Sequence, residues 1–333
     1  MTLIKTCNLK YDRVDSEFLD CLSDNLAVLL DHQDIADIRT PFAYQWYFDF
    51  DSARDAGMPK LERVSITESI YQQTGCVTRH AQFEPGQYLE ACLPHLRDNR
   101  PVLIFGDSYF MPWLPYFGRQ HMEHSFIVDG ISDDQKLLHL VDAYQIRTEW
   151  GNAAPTDTYL PTMALARIIE ELDTAYARSY LILESERQAE EVDLAALLKQ
   201  NASQIADLVG DKEMVLQFSR HFRARMTDAA AMKDFSLACW LVARARKLHG
   251  LWLSDTAKGH PDLLNPAFVE QYELNVSAPW QKVAEFSYLL SRRVSQGRTA
   301  PDTCFQMLEE TIHPNEIQTA KALARIIHGN RAE

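Results

Sequence analysis

The stretch GRQHMEHSFIVDGISDDQKLLHLVDAY, residues 118–144, decides how this chain reads. It opens with His121 and His124. Two apolar, partly β-branched runs follow, SFIVDG (125–130) and KLLHLVD (136–142), separated by the polar ISDDQ. Such runs bounded by turn residues predict two strands, and the short polar link predicts an antiparallel hairpin. The start of the first strand then faces the end of the second. His124, just before one strand, and Asp142, closing the other, therefore fall at the same end of the ladder. A carboxylate beside an imidazole fixes the tautomer and leaves the second ring nitrogen free to take a proton. That is a general base in search of a nucleophile.

The nucleophile is sought in DSEFLDCLSDNLAVLLDH (15–32), where Leu19, Leu22, Leu26 and Leu29 form a helical stripe aimed at a core. Cys21 lies about 100° off that stripe, the rotation of one helical residue. Asp20 reads as an N-cap, which places Cys21 in the first turn, where unsatisfied N–H groups and the helix dipole favour a thiolate. Asn25, four residues on, shares its face and is a candidate hydrogen-bond donor near the thiol. Read alone, the segment describes a half-buried helix cysteine; the hairpin supplies the base that would make it a nucleophile. The order Cys, His, Asp, with the Cys on an early helix and the others on later strands, is that of papain-like folds.

Taken together, CLSDNLAVLL, then PVLIFGDSYFMPWLPYFGRQHMEHSFIVDGI, then LHLVDAY resemble the butirosin biosynthesis protein H-like family over roughly residues 18–145. The matching features are the helix-initial Cys, an apolar strand ending in Asp107 and Tyr109, and the Leu114-Pro115-Tyr116 element. A His before a strand ending in Gly130 and an Asp closing the next strand complete the set. The resemblance implies an α+β chain: a papain-like (C39-like) N-terminal domain followed by an all-helical C-terminal domain. It implies a thiol-dependent acyltransferase of natural-product biosynthesis, moving an acyl group from a carrier-protein thioester to an amine or hydroxyl. Cys21 would be the nucleophile, His124 the base and acid, and Asp142 the orienting group. The chain departs from the family at Asp20, where a His is frequent; a carboxylate there opposes a thiolate unless it is engaged as a cap. Two other readings share these residues: a thiol hydrolase (amidase, peptidase or thioesterase), and a non-catalytic relative that binds a carrier protein or peptide.

Around the triad, Asn25, Asp107, Tyr109, Trp113, Tyr116 and His121 are candidates for substrate binding or the oxyanion site. The rings of DSYFMPWLPYFG (107–118) suit a rigid apolar wall for an acyl chain or a 4'-phosphopantetheine arm. FAYQWYFDFD (42–51) partly alternates and reads as another strand or a second wall of the groove. His121 is the rival base, set further into the loop, and His139 reads as a satisfied strand residue. The His121–His124 spacing is not H-E-x-x-H and no cysteine pair stands nearby, so no metal is expected. No organic cofactor is expected either.

Short strand-like runs, VLIFG (102–106) and RSYLILES (178–185) among them, mix with helical segments such as TMALARIIEELDTAYA (162–177) up to about residue 185. Beyond it the pattern is helix after helix. The expected organisation is a catalytic domain over 1–185 and a helical domain over 186–333, with the boundary near 184–190. The six cysteines are scattered and form no disulfide framework. A net charge of −14 argues against nucleic acid or an anionic membrane as the main partner. No apolar run approaches the ~20 residues of a membrane span. The first residues turn polar too soon for a secretory leader, so a cytoplasmic protein is expected. Expected partners are a small-molecule acceptor and an acyl or peptidyl carrier protein. For the latter, a locally basic helical face (Arg220, Arg223, Arg225, Arg244, Arg246, Lys247, Arg292, Arg293, Arg298) would steer an acidic carrier.

Overall fold

A computed structural model describes residues 4–53, 57–148, 150–187, 192–299 and 301–329. The chain divides into two compact units, 1–42 with 66–190 and 43–65 with 191–333. This differs from a single cut after residue 185, because the segment 43–65 belongs with the helices. The alternation in FAYQWYFDFD is that of an extended segment, but its aromatic partners are helical. Trp46 meets Tyr272 edge-on at 5.1 Å, Phe48 meets Phe218 and Trp280, and Phe50 meets Phe218. Its backbone makes an isolated bridge, Asp49 to Lys60. It is therefore not a sheet strand. Residues 188–191, inside the expected boundary, lie outside the described residues.

The first unit is built on an antiparallel sheet. Its strands are β1 (Ile4–Thr6), β2 (Cys76–Gln82), β3 (Val102–Asp107), β4 (Glu123–Ser132), β5 (Leu137–Asp142), β8 (Thr156–Pro161) and β9 (Ser179–Ser185). Their order is β2-β9-β3-β4-β5-β8, with β1 also on β4. A separate ribbon pairs β6 (Ile146–Thr148) with β7 (Gly151–Ala153). Every residue of β3 is buried, which explains its unbroken apolar run: both faces of the sheet are covered. Val102 and Ile104 join Cys92 and Leu96 of α4 (Tyr88–Arg97) and Leu165, Ile168 and Ile169 of α5 (Thr162–Glu170) in one cluster. Leu103 and Phe105 join Leu26, Leu29 and Leu30 of α1 (Cys21–His32) and Ile70 of α3 (Ile66–Thr74) in the other. The result is a mixed α/β unit of three layers, with the sheet in the middle. The turn of helix α2 (Thr40–Ala43) ends the first segment.

The second unit is helical. Its helices are α6 (Leu194–Ile205), α7 (Met214–Arg223), the long α8 (Ala229–Gly259), α9 (Pro266–Tyr272), α10 (Ala278–Ser295), α11 (Thr303–Met307) and α12 (His313–Gly329). Several of its basic residues make internal pairs. Arg223 bonds Asp302 and Glu309, Lys247 bonds Glu273, and Arg225 bonds Asp228. Arg246 is wholly buried: it bonds Glu316 at 2.7 Å and the Tyr47 carbonyl at 3.0 Å, and Trp280 Nε1 donates to the same Glu316. None of the helices among the described residues is long and apolar enough to cross a membrane.

Two substitutions test this packing. A Cβ at Gly106, in β3, would stand 2.4 Å from Ile168 Cγ2 and 2.9 Å from the Ile168 carbonyl of α5. Gly106→Ala is therefore expected to destabilise by about 1–3 kcal/mol, read as a lowered unfolding midpoint. Arg246→Ala leaves the Glu316 carboxylate buried beside Trp280, and about 3–5 kcal/mol of destabilisation is expected.

Candidate active site

Helix α1 begins at Cys21 because Asp20 caps it. Asp20 sits at extended φ/ψ, and its side chain accepts from the Ser23 N–H at 2.8 Å. The carboxylate is thereby turned to the helix start. Cys21 is half-buried and packs against the cluster that contains Ile104 and Phe126, whereas the other cysteines (Cys7, Cys76, Cys92, Cys239, Cys304) are buried. Burial pushes the Cys7, Cys92 and Cys304 thiols up to about 12, and raises Cys239 well above the ordinary thiol value. Cys21 is the one cysteine that is not buried.

Asn25, one turn on, is fully buried and fully engaged. Its Nδ2 donates to the carbonyls of Cys21 (2.9 Å) and Ser125 (2.8 Å), and its Oδ1 accepts from the Ala143 N–H at 3.1 Å. It ties the start of α1 to β4 and to the chain just past β5. With both ends of its amide committed, it is a clamp and not an oxyanion donor.

His124 lies near the start of β4, opposite Gly106 of β3. Its ring is buried, with Nε2 donating to Asp142 Oδ2 at 2.7 Å. Asp142, at the end of β5, also accepts from Trp113 Nε1 at 2.8 Å and from the Tyr144 N–H at 3.1 Å. Trp113, expected as part of a substrate wall, is thus an orienting donor to the carboxylate. The Tyr144 ring packs edge-on against the imidazole, 5.0 Å between centroids. Cys21 acts on the His124 ring through its charge and as a side-chain hydrogen-bond partner, although Nδ1 has no partner at ordinary hydrogen-bond distance among the described residues. Complete burial works against a charged imidazole. The Asp142 charge and then Cys21 outweigh it, and the pKa rises to about 10. For Asp142, burial raises the pKa, but the His124 charge, its hydrogen bond and those from Trp113 and Tyr144 hold it below the ordinary carboxylate value.

The remaining candidates separate. Tyr116 is buried, with its hydroxyl 3.5 Å from that of Tyr144. Burial raises its pKa, the Tyr144 contact lowers it, and the nearby Cys21 raises it again, so the phenol stays protonated, a donor beside the thiol. His121 is bound elsewhere: its Nδ1 lies 2.6 Å from Asp107 and its ring stacks on Tyr109 at 4.2 Å. It is not the Cys21 base. Asp107 accepts from the Tyr109 and Met122 N–H groups, and Tyr109 serves that pair and not a wall. Sequence reasoning did not assign Tyr144 a part: its ring covers His124 and its N–H holds Asp142. It stands inside the deciding stretch, but no spacing rule marks an aromatic two residues past an aspartate.

These contacts bring a half-buried cysteine, a buried imidazole and a buried carboxylate to one end of one sheet, with the first-turn N–H groups of α1 beside the cysteine. Trp113→Phe removes a hydrogen bond to a buried charge, a contact of about 1.5–3 kcal/mol. Because the Asp142 pKa is depressed on folding, its contribution is present above the unfolded value and lost as pH falls. The variant should therefore unfold at a higher pH in an acid titration followed by circular dichroism.

No protein-family profile matches this chain and no curated protein matches it, so the resemblance to the butirosin biosynthesis protein H-like family gains no support from either comparison. Among solved structures, a chain described as a C39-like peptidase from Bacillus anthracis is similar at 12% identity and a TM-score of 0.33, covering 57% of this chain and 100% of that chain. A likeness that loose carries no weight for fold or chemistry, and the site stands on its own geometry.

Proposed function

We propose that the chain is a thiol-dependent acyltransferase of papain-like architecture, with Cys21 as nucleophile, His124 as acid and base, and Asp142 as the orienting carboxylate. One observation carries the reading. Of the cysteines, the one that is not buried lies at a helix start beside a buried imidazole whose far nitrogen is held by a buried carboxylate with three further donors. Burying such a pair without use would be an expensive way to fill a core.

The Cys21 sulfur attacks the carbonyl carbon of a thioester, forming a new C–S bond. The old C–S bond breaks, and the departing thiolate takes its proton from the His124 imidazolium. Backbone N–H groups at the start of α1, with the Tyr116 hydroxyl, stabilise the oxyanion. An amine or hydroxyl then attacks the acyl-Cys21, releasing the thiolate, and His124 recovers a proton from the incoming group. A donor on the 4'-phosphopantetheine arm of a carrier protein fits a thiol-exchange step of this kind, and no further cofactor enters it. The partial exposure of Cys21 favours a second reading, in which water is the acceptor and the protein is a thiol hydrolase.

Intact-protein mass spectrometry after iodoacetamide or a small thioester tests the nucleophile. A single adduct on Cys21 is expected, absent in Cys21→Ala and slowed about 10²–10⁴-fold in His124→Ala, the range of a lost acid–base group. Labelling spread over other cysteines, with Cys21 unreactive, would sink the proposal. With the His124 pKa raised to about 10, steps that need its proton should run undiminished through neutral pH and fail on approach to pH 10. A fall centred near 6.5, the ordinary histidine value, would show that the imidazole is not paired as described.

A further inference from the structure

Four side chains close a circuit around the thiol. Cys21 acts on the His124 imidazole, and the Tyr144 ring packs edge-on against that imidazole at 5.0 Å. The Tyr144 hydroxyl lies 3.5 Å from that of Tyr116. Tyr116 in turn feels the charge of Cys21, which returns the circuit to the sulfur.

Tyr144 is placed by the bonds of the site itself. The Ala143 N–H donates to Asn25 Oδ1, and the Tyr144 N–H donates to Asp142 Oδ1, each at 3.1 Å. With two successive N–H groups held, the backbone that carries the phenol is fixed where the ring covers His124. Tyr116 is fixed as well. It is buried, its ring stands edge-on to Trp150, and its backbone carbonyl accepts from the Arg119 and Gln120 N–H groups.

A phenol has one proton to donate and an oxygen that also accepts. Where two phenols meet, one gives its proton to the other, and the second keeps its own for a third group. The sulfur beside this pair settles the direction. A thiolate, and then the oxyanion on the carbon it attacks, are stronger acceptors than a neutral phenol oxygen. The Tyr116 proton turns to them, and the Tyr116 oxygen is left to accept from Tyr144. A hydroxyl whose oxygen already accepts a bond is itself the better donor. The separation of 3.5 Å is long for such a bond, as contacts in an active site without substrate often are, and it shortens as charge develops.

We infer that Tyr144 is a positioning residue for acylation: its hydroxyl donates to Tyr116, and so aims and strengthens the Tyr116 donor at the oxyanion. The inference rests on the acyl-Cys21 reading. As the Cys21 sulfur bonds the carbonyl carbon, the C=O electron pair moves onto oxygen, and Tyr116 donates to it without giving up its proton. When the pair returns, the bond to the departing thiol breaks, and that thiolate is protonated by His124.

Two reactions of the same thiol separate this role from simple support of the imidazole. Alkylation by iodoacetamide displaces iodide at a saturated carbon and develops no oxyanion, whereas acylation by a small thioester does. Both are followed on the full chain by intact-protein mass spectrometry, and the ratio of acylation rate to alkylation rate is read. Tyr116→Phe is expected to lower that ratio about 10²-fold, the scale of one lost oxyanion donor. Tyr144→Phe keeps the ring on His124 and the N–H on Asp142, and is expected to lower the ratio about tenfold, the scale of one neutral hydrogen bond. The double variant should fall no further than Tyr116→Phe, because Tyr144 acts through it. A wild-type ratio in Tyr144→Phe overturns the inference, and so do losses that multiply in the double variant. If the wild-type protein is alkylated on Cys21 but never acylated, the acyl-Cys21 reading itself falls and this inference with it.

Discussion

The unit that holds the site depends on keeping one carboxylate charged in the dry. An ionised group taken out of water must be repaid in hydrogen bonds and opposite charge, or it protonates. Asp142 gets its donors from four places: His124 on the neighbouring strand, Trp113 from the loop after β3, the Tyr144 N–H from the chain just beyond, and, at 3.5 Å, Asn25 Nδ2 of α1. Each donor is held in turn by something else. The His124 strand is clamped to α1 by Asn25, and the Trp113 ring packs edge-on to Phe126. Satisfying Asp142 therefore fixes the helix that begins with Cys21, the orientation of the imidazole and the loop over both. The geometry of the candidate site and the solution to a buried charge are one set of bonds.

That arrangement depends on a single extra residue. Near the turn, β4 and β5 pair Ile131 with Leu138 and Gly130 with His139; beyond it, the pairs are Val128 with Leu140 and Ile127 with Val141. The register shifts by one across Asp129, a β-bulge. Had the turn-end register continued, Asp142 would lie opposite Ile127, which faces α1, while His124 points to the other face with Phe126 and Val128. The bulge puts both on one face. The residue it leaves over is well anchored: the Asp129 carboxylate is bound by His139 Nδ1, and its carbonyl accepts from the Cys7 N–H. His139, read from sequence as a satisfied strand residue, is satisfied by the bulge itself.

What was legible followed from burial pattern, and what was not followed from its lack. The apolar β3, the hairpin, α1 and β9 stood out because both faces or a full stripe are covered. β2 (CVTRHAQ) and β8 (TDTYLP) end the sheet, with half their residues toward water, so their alternation carries too little apolar signal to separate from loop. The placing of His124 and Asp142 at one end of a hairpin was legible. That they share a face was not, since no residue type announces a bulge at Asp129. Nor was the allegiance of 43–65, because an aromatic alternation states that a segment is half-buried without stating against what.

The choice among thiols shows the same division between composition and environment. Six cysteines are chemically identical in the sequence, and five are packed away in cores; in Cys7, Cys92, Cys239 and Cys304 burial also holds the proton on sulfur. Cys21 differs only because Asp20 ends the preceding chain and starts a helix there, so the residue sits at the edge of the packed layer. Moving the cap by one residue would turn the side chain about 100° around the axis, onto the leucine stripe and away from His124. The proposed nucleophile is thus placed by a capping hydrogen bond at its own helix start, one that also takes up the carboxylate that would otherwise oppose a thiolate.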